Sequence, residues 1–198
     1  MKRSLFGARA LACSVFLVVV AVAPAQAASS SIDTSSCSAP PVFQPFLAWG
    51  DSNWYTMVPG EGLDNFAGAG WVLSGGAKIT TQTLADGTTG LVLDMPSGSK
   101  AVSPEMCIGD GYPIAKTLIR YGSGSSGSVA FTPYDLTTDT KLGTMQLPGR
   151  VNWSLTPPVN VLPGAISGWH IMQFTYVAGG KNSDFQIYDF AVDPRMRC

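Results

Sequence analysis

Short stretches of alternating apolar and polar residues, separated by glycine, proline, serine and aspartate, dominate this sequence. In Gly90–Met95 every second residue is leucine or methionine, and Asp86-Gly87 just before it has the form of a hairpin turn. No segment repeats apolar residues at helical spacing over three turns. Short strands at intervals of about 8–12 residues are typical of a sandwich or barrel. The pattern therefore predicts an all-β protein.

The turn residues divide the chain into candidate strands. The longest are Ile114–Tyr121 and Ser128–Leu136, and Trp169–Val177 and Asp184–Val192 close the series. Pro45 interrupts the apolar stretch Phe43–Trp49, so we expect this stretch to pack along an edge. The shorter predicted strands are Asp51–Val58, Trp71–Leu73, Ala77–Leu84, Gly90–Met95, Ala101–Ser103, Lys141–Leu147 and Val159–Leu162.

The first residues have the form of a secretory signal peptide. A basic start is followed by the apolar stretch Ala10–Ala23 and by an A-x-A cleavage site ending at Ala27. The apolar stretch is shorter than the ~20 residues that span a bilayer, so we expect a secreted, extracellular protein with no membrane insertion after cleavage. The predicted organisation is a signal peptide (1–27), a Ser/Pro-rich lead-in (28–41) and one β-sandwich domain (42–198).

The charge balance excludes some partners. The chain has 12 Lys and Arg against 13 Asp and Glu, and three of the basic residues belong to the signal peptide. A mildly acidic protein without a basic cluster is poorly suited to nucleic acid or to an anionic membrane. We therefore expect no nucleic-acid partner.

The mature chain has three cysteines, Cys37, Cys107 and Cys198. Export permits disulfides, and three cysteines allow one intramolecular bridge. We favour Cys37–Cys107, which would attach the N-terminal segment to the sandwich and remove roughly 4 kcal/mol of unfolded-chain entropy. A bridge from Cys198 to either of the others is the alternative. If Cys198 is left over, it is free or links two chains.

Four motifs follow one another in an order that resembles the galactose-binding-like carbohydrate-binding modules. They are Gly60–Asp64, Gly70–Ala77, Asp94–Ser99 and Phe185–Pro194. The segment Ser103–Cys107 also resembles a group of secreted actinobacterial proteins. The resemblance implies an antiparallel jelly-roll β-sandwich.

The resemblance also implies a metal site. In the sugar-binding relatives, carboxylates of the opening turn and the closing strand often hold a structural calcium ion. Asp64 replaces the opening glutamate, and Tyr188 replaces the first aspartate of the closing pair, which leaves Asp64 and Asp189 as candidate ligands. The alternative is that Asp64 caps a turn and Asp189 bonds backbone. Apart from this structural calcium, we expect no cofactor.

A sugar site needs aromatic rings and planar polar groups. Trp153 lies in a polar setting and is the best candidate for an exposed ring, with burial as the alternative. If their strands are neighbours, strand alternation would place Arg120, Tyr134 and Gln173 on one face. These four residues form the predicted ligand site, and an ordinary solvated sheet face is the alternative.

The sequence offers little for catalysis. His170 is the only histidine, and no G-x-S-x-G motif accompanies it, so we interpret it as an edge residue. No two carboxylates are placed across one cleft by the sequence. We predict a secreted, non-catalytic protein that binds an extracellular ligand, most plausibly a glycan. The alternatives are a structural or adhesive protein, with chains linked through Cys198, and, third, an enzyme acting on polysaccharide.

Overall fold

The computed structural model describes residues 32–58, 66–67, 70–84, 86–109, 111, 114–161 and 167–193. These residues form two antiparallel β-sheets whose inner faces share one hydrophobic core. The strands are β1 (Thr56–Met57), β2 (Val72–Ser74), β3 (Lys78–Thr83), β4 (Thr89–Met95), β5 (Lys100–Val102), β6 (Met106–Gly109), β7 (Ile114–Ser123), β8 (Ser128–Asp135), β9 (Thr140–Lys141), β10 (Met145–Pro148), β11 (Ser154–Leu155), β12 (Val159–Asn160), β13 (Trp169–Ala178) and β14 (Asp184–Asp193).

The strand order is that of a jelly roll. The first sheet has the order β11-β7-β14-β4-β3, with β1 on β14 and β12 on β7. The second sheet has the order β10-β8-β13-β5-β2, with β6 on β13 and β9 on β8. The chain passes repeatedly from one sheet to the other, and β14 returns to lie between β4 and β7. This is the double Greek key of a jelly-roll sandwich, so the predicted fold class is confirmed.

The long strands lie close to where the alternation predicts them. Lys141–Leu147 is different, because residues 142–144 separate β9 from β10. Two short strands, β6 and β11, were not predicted. Each is stabilised by its pairing with a long strand, β6 with β13 and β11 with β7. Strands of two to four residues are too short to show an alternating pattern, so the sequence does not reveal such pairing.

Alternation along β13 positions the core. Met172, Phe174 and Tyr176 are fully buried, as predicted. Phe131 of β8 and Phe190 of β14 meet Phe174, with ring centroids 5.8 Å and 5.0 Å away respectively. The centre of the sandwich is therefore an aromatic cluster contributed by both sheets.

The N-terminal segment 43–55 covers the outer face of the first sheet and leads into β1, a strand of that sheet. Phe46, Tyr55 and Met57 are fully buried there, in a second hydrophobic cluster with Leu118 of β7 and Val92 of β4. The prediction of edge packing for Phe43–Trp49 is wrong. The first sheet carries apolar side chains on both faces, and burial of the outer ones requires a cover.

A polar cluster fastens this cover. The carboxylate of Asp51 accepts hydrogen bonds from Tyr55 Oη at 2.7 Å and from the Asn53 N–H at 3.1 Å. Lys116 Nζ of β7 forms an ion pair with the same carboxylate. Both charged side chains are largely buried, so the pair links the cover to the sheet in a setting shielded from solvent.

The predicted Cys37–Cys107 disulfide is confirmed, with Cα atoms 5.6 Å apart and a sequence separation of 70 residues. It joins the start of the described chain to β6 of the second sheet. The segment therefore begins against the second sheet and crosses to the first. In the part of the chain that the structure describes, no helix has the length and hydropathy that a membrane crossing requires.

Candidate functional site

The predicted ligand residues lie on two different faces. Tyr134 and Gln173 are directly opposite each other on β8 and β13, and both point away from the core of the second sheet. Arg120 lies on β7 in the first sheet, with Trp153 beside it. The shared face of Arg120, Tyr134 and Gln173 does not form. The jelly-roll connection from β7 to β8 crosses between the sheets, so consecutive strands are not neighbours.

A polar row crosses the outer face of the first sheet. Arg120 Nε donates a hydrogen bond to Gln186 Oε1 at 2.8 Å. Gln186 Nε2 lies 3.5 Å from Asp94 Oδ1, and Lys78 Nζ lies 3.6 Å from Asp94 Oδ2. The row follows the ladder from β7 through β14 and β4 to β3. Planar donors and acceptors are thereby held side by side on one surface.

Trp153 ends this row. Its side chain is only 7% exposed, so the alternative of burial is the correct one. The Arg120 guanidinium carbon lies 4.5 Å from the centroid of the Trp153 ring, a cation–π contact. The Tyr188 ring meets Trp153 edge to face at 6.1 Å. Trp153 thus connects the polar row to an aromatic region farther along the same face.

A β-bulge in β14 directly follows Tyr188, which lies on the outer face by regular alternation with Gln186. The pairing with β7 shifts between Tyr188 and Ala191, and Asp189 has a φ of 52°. Aspartate tolerates this left-handed conformation better than most residues. The extra residue reverses the alternation, so that Phe190 points into the core and Ala191 points outward. Without the bulge, strict alternation would turn Phe190 away from the core.

An aromatic pocket of about 310 Å³ opens beside Trp153. Five separate parts of the chain form it: the N-terminal segment, the turn between β3 and β4, strand β7, the loop before β11, and the bulge of β14. Its walls are Pro45, Ala48, Trp49, Leu84, Asp86, Leu118, Trp153, Tyr188 and Asp189. Concave, largely apolar pockets with a few converging polar groups are the usual form of a small-ligand site.

The N-terminal cover supplies one wall of the pocket. Trp49 ends a short 3₁₀ helix, Leu47–Trp49, and its N–H donates to the Phe46 carbonyl at 2.9 Å. Gly50 follows with a φ of 79°, and its left-handed conformation closes the helix. Since Phe46 is fully buried, the anchored turn holds Trp49 at the rim.

A close approach shapes the opposite wall. A Cβ atom at Gly90 would lie 2.7 Å from Leu84 Cδ1 and 3.4 Å from the Tyr188 ring. Glycine at this position lets both wall residues come near the β4 backbone.

Among the wall residues that the sequence prediction missed, three carry an aromatic ring or a carboxylate: Trp49, Tyr188 and Asp86. Trp49 could have been found as an aromatic in a stretch broken by proline. Tyr188 was noted only as the replacement of a metal ligand. Asp86 was assigned only to a hairpin turn.

The predicted calcium site stays a prediction, because only one of its two candidate ligands belongs to the described residues. Asp64 lies outside them. Among the residues described, no three histidine, cysteine, aspartate or glutamate side chains lie together in a metal-binding arrangement. Asp189 is a pocket wall residue in the bulge. Calcium needs six to eight oxygen ligands, and Asp189 alone is far from that number.

His170 has a buried role. It is fully buried, and its Nδ1 lies 2.8 Å from Asp135 Oδ2, so the interpretation as an edge residue is wrong. Asp135, also fully buried, accepts hydrogen bonds from the Thr138 hydroxyl and the Thr137 N–H. The pair anchors the turn after β8 to β13. Because neither side chain reaches solvent, a substrate has no access to them.

No protein-family model matches the chain, and no curated protein matches it. The fold is similar to several solved structures. A family 61 carbohydrate-binding module in complex with β-1,4-galactotriose is 12% identical, with a TM-score of 0.43 over 64% of this chain and 89% of that one. A family 11 module from Clostridium thermocellum, in complex with a β-1,3-1,4-mixed-linked tetrasaccharide, is 12% identical, with a TM-score of 0.41 over 75% of this chain and 100% of that one.

An arabinose-bound α-L-arabinofuranosidase is 17% identical, with a TM-score of 0.46 over 64% of this chain. The chain spans only 23% of that enzyme. Identities and TM-scores this low assign no ligand and no site residue to this chain.

Proposed function

We propose that this protein is a secreted, non-catalytic glycan-binding protein whose site is the outer face of the first sheet. The observation that carries the proposal is the aromatic pocket beside the polar row. Trp49 and Tyr188 offer rings to the apolar face of a sugar, and Asp86 and Asp189 offer acceptors for its hydroxyl groups. A pocket of about 310 Å³ has room for a small saccharide unit.

The polar row gives an extended glycan further contacts. Arg120 and Asp94 hold planar charged groups at fixed positions, and Gln186 bridges them. Hydrogen bonds to charged groups are stronger than neutral ones, and a preformed arrangement loses little side-chain entropy on binding. We expect one saccharide unit in the pocket and neighbouring units along the row.

A titration against a panel of soluble glycans tests the proposal. The wild type is compared by calorimetry with Trp49→Ala and Tyr188→Ala, each expected to weaken binding roughly tenfold. Tyr134→Ala on the second sheet is the matched control and should bind as the wild type does. Retention of full affinity in both pocket variants, or loss of it in the control, would refute this location.

The alternative is a structural or adhesive protein without a small ligand. Exposed apolar side chains on the second sheet favour it, since Val72 is 63% exposed and Val177 is 38% exposed. A dimer linked through Cys198 would accompany that role. A non-reducing gel with Cys198→Ser as the control separates the two functions, because the glycan-binding proposal needs no covalent dimer.

A further inference from the structure

The wall of the aromatic pocket has a single sign of charge. Two carboxylates, those of Asp86 and Asp189, belong to the described lining, and no lysine, arginine or histidine does. A neutral sugar would find hydroxyl acceptors in such a pocket. The absence of a basic group among the described lining residues disfavours an acidic sugar, whose carboxylate would face two others.

The Asp86 carboxylate is suited to bind a positively charged group. Its Oδ1 accepts hydrogen bonds from the Thr88 hydroxyl at 2.6 Å and from the Thr88 N–H at 2.9 Å. These bonds lower the pKa of the Asp86 carboxyl, which therefore stays ionised in mildly acidic solution. Both of these bonds end on Oδ1, so neither of them occupies Oδ2.

The aromatic walls favour a cation as well. Trp49, Trp153 and Tyr188 line the same cavity as the two carboxylates. The face of an aromatic ring attracts an ammonium group, and aromatic cages recognise organic cations in this way. The aromatic rings and the carboxylates of the pocket wall therefore both attract an ammonium group.

Two basic residues of the same face make their contacts outside the pocket lining. Arg120 is bonded to Gln186 and stacked on Trp153, outside the lining. Lys116 is paired with Asp51 under the N-terminal cover. Neither residue belongs to the pocket wall.

We propose that the pocket selects sugars that carry a free, protonated amino group, which would lie between the aromatic rings and the carboxylates of Asp86 and Asp189. This inference rests on the proposed glycan-binding function and names the class of glycan. The ligand class is an amino sugar rather than a neutral or N-acetylated one.

Three trisaccharides of equal size and β-1,4 linkage test it, because they differ only at C2. The glucosamine trisaccharide carries an ammonium group, the N-acetylglucosamine trisaccharide a neutral amide, and cellotriose a hydroxyl. At about pH 5.5, where both the amine and the carboxylates are charged, we expect the glucosamine trisaccharide to bind roughly five- to tenfold tighter than the other two.

Two isosteric variants separate a specific contact from general attraction to an acidic protein. Asp86→Asn removes the pocket charge and should abolish most of the preference. Asp33→Asn is the control: Asp33 also accepts hydrogen bonds from a residue two positions later, Ser35, and it does not line the pocket. Both variants change the net charge equally, and only the first should alter the ranking of the trisaccharides.

The possible outcomes are distinct. Equal or tighter binding of cellotriose would overturn the amino-sugar inference and leave glycan binding in place. Equal loss of preference in Asp33→Asn and Asp86→Asn would also overturn it. Choline serves as a fourth probe, a cation without a sugar ring; its binding with no binding of any trisaccharide would overturn the amino-sugar inference. Absence of binding to all four probes would overturn the inference, and the broader glycan panel would then decide the proposed function.

Discussion

The outer faces of the two sheets differ in what covers them. On the first sheet, the N-terminal segment buries Leu118 and Val92, and a pocket forms where the cover meets the sheet. On the second sheet, Val72 and Val177 remain exposed, and Tyr134 and Gln173 are half-buried. Both sheets have five strands along their main path and belong to one fold. The aromatic pocket of the first sheet thus depends on the added segment as well as on the sheet itself.

We expect the largest effect on stability from removing the Phe46 side chain, which anchors the N-terminal cover to the first sheet. Phe46 is fully buried, and its ring meets Tyr55 edge to face at 5.0 Å. Phe46→Ala should lower the free energy of unfolding by about 3–5 kcal/mol through lost burial and a cavity. Urea titration measures this. Val72→Ala on the uncovered face is the control and should stay within about 0.5 kcal/mol of the wild type. Similar values for the two variants would mean that the cover contributes no stability.

The disulfide ties the covering segment to the opposite sheet. The double variant Cys37→Ser/Cys107→Ser should lose about 2–4 kcal/mol, because the reduced, unfolded chain regains the freedom of a 70-residue loop. Chemical denaturation compares it with the wild type. The pocket lies on the other sheet, so glycan affinity measured on the folded variant should be unchanged. Loss of glycan affinity without loss of stability would contradict the expectation that the disulfide stabilises the fold and does not affect the pocket.

The attachment of the cover should depend on pH. Burial raises the pKa of Asp51, but hydrogen bonds from Lys116, Tyr55 and the Asn53 N–H lower it more, and the net direction is downward. A depressed pKa contributes stability that is complete above the unfolded value of about 4 and is lost as the pH falls through the folded value.

Asp51→Asn tests this dependence. It should cost about 1.5–3 kcal/mol at neutral pH, where the charge-assisted bonds are intact. The difference from the wild type should shrink as the pH falls below about 4. Thermal melts across this range measure it, and Asp33→Asn, on an exposed carboxyl, is the control. A difference that stays constant with pH would show that the Asp51 charge is not involved.

A substitution in the polar row should have a smaller effect. It compares the contribution of the two outer faces to glycan affinity directly. Arg120→Ala should weaken glycan binding roughly three- to tenfold, since it removes one charged contact and the packing on Trp153. Gln173→Ala on the second sheet should leave the affinity unchanged. Calorimetric titration of both variants decides which outer face holds the ligand, and the reverse result would move the site to the second sheet.

Chelation should have the smallest effect. Among the described residues, no three acidic, histidine or cysteine side chains lie together as metal ligands, and we expect EDTA to leave the melting temperature unchanged. A decrease on chelation that calcium restores would make Asp189 and Asp64 metal ligands, as the family resemblance implies. Asp189→Asn, measured with and without chelator, would then lose the calcium dependence.

Much of the fold could be predicted from the sequence. Period-two alternation placed β7, β8, β13 and β14 to within about two residues. The disulfide was identified because three cysteines leave few pairings. The strands follow from patterns within a few residues, and the disulfide pairing is restricted by the small number of cysteines.

The site was predicted less well. Arg120 and Trp153 do lie together, but Tyr134 and Gln173 are on the other sheet. The error came from treating three long strands as neighbours. Alternation shows which side chains of one strand share a face, and it contains no information about which strand lies beside another.

The sequence by itself determined that the chain forms short antiparallel strands around an apolar core. It did so because side-chain periodicity and turn residues act within a few positions of each other. Only the tertiary structure decided that residues 43–55 cover the first sheet, that a bulge at Asp189 turns Phe190 into the core, and that Trp49 and Tyr188 line one pocket. The pocket joins residues from 45 to 189, and contacts between segments so far apart are selected by burial and packing over the whole fold.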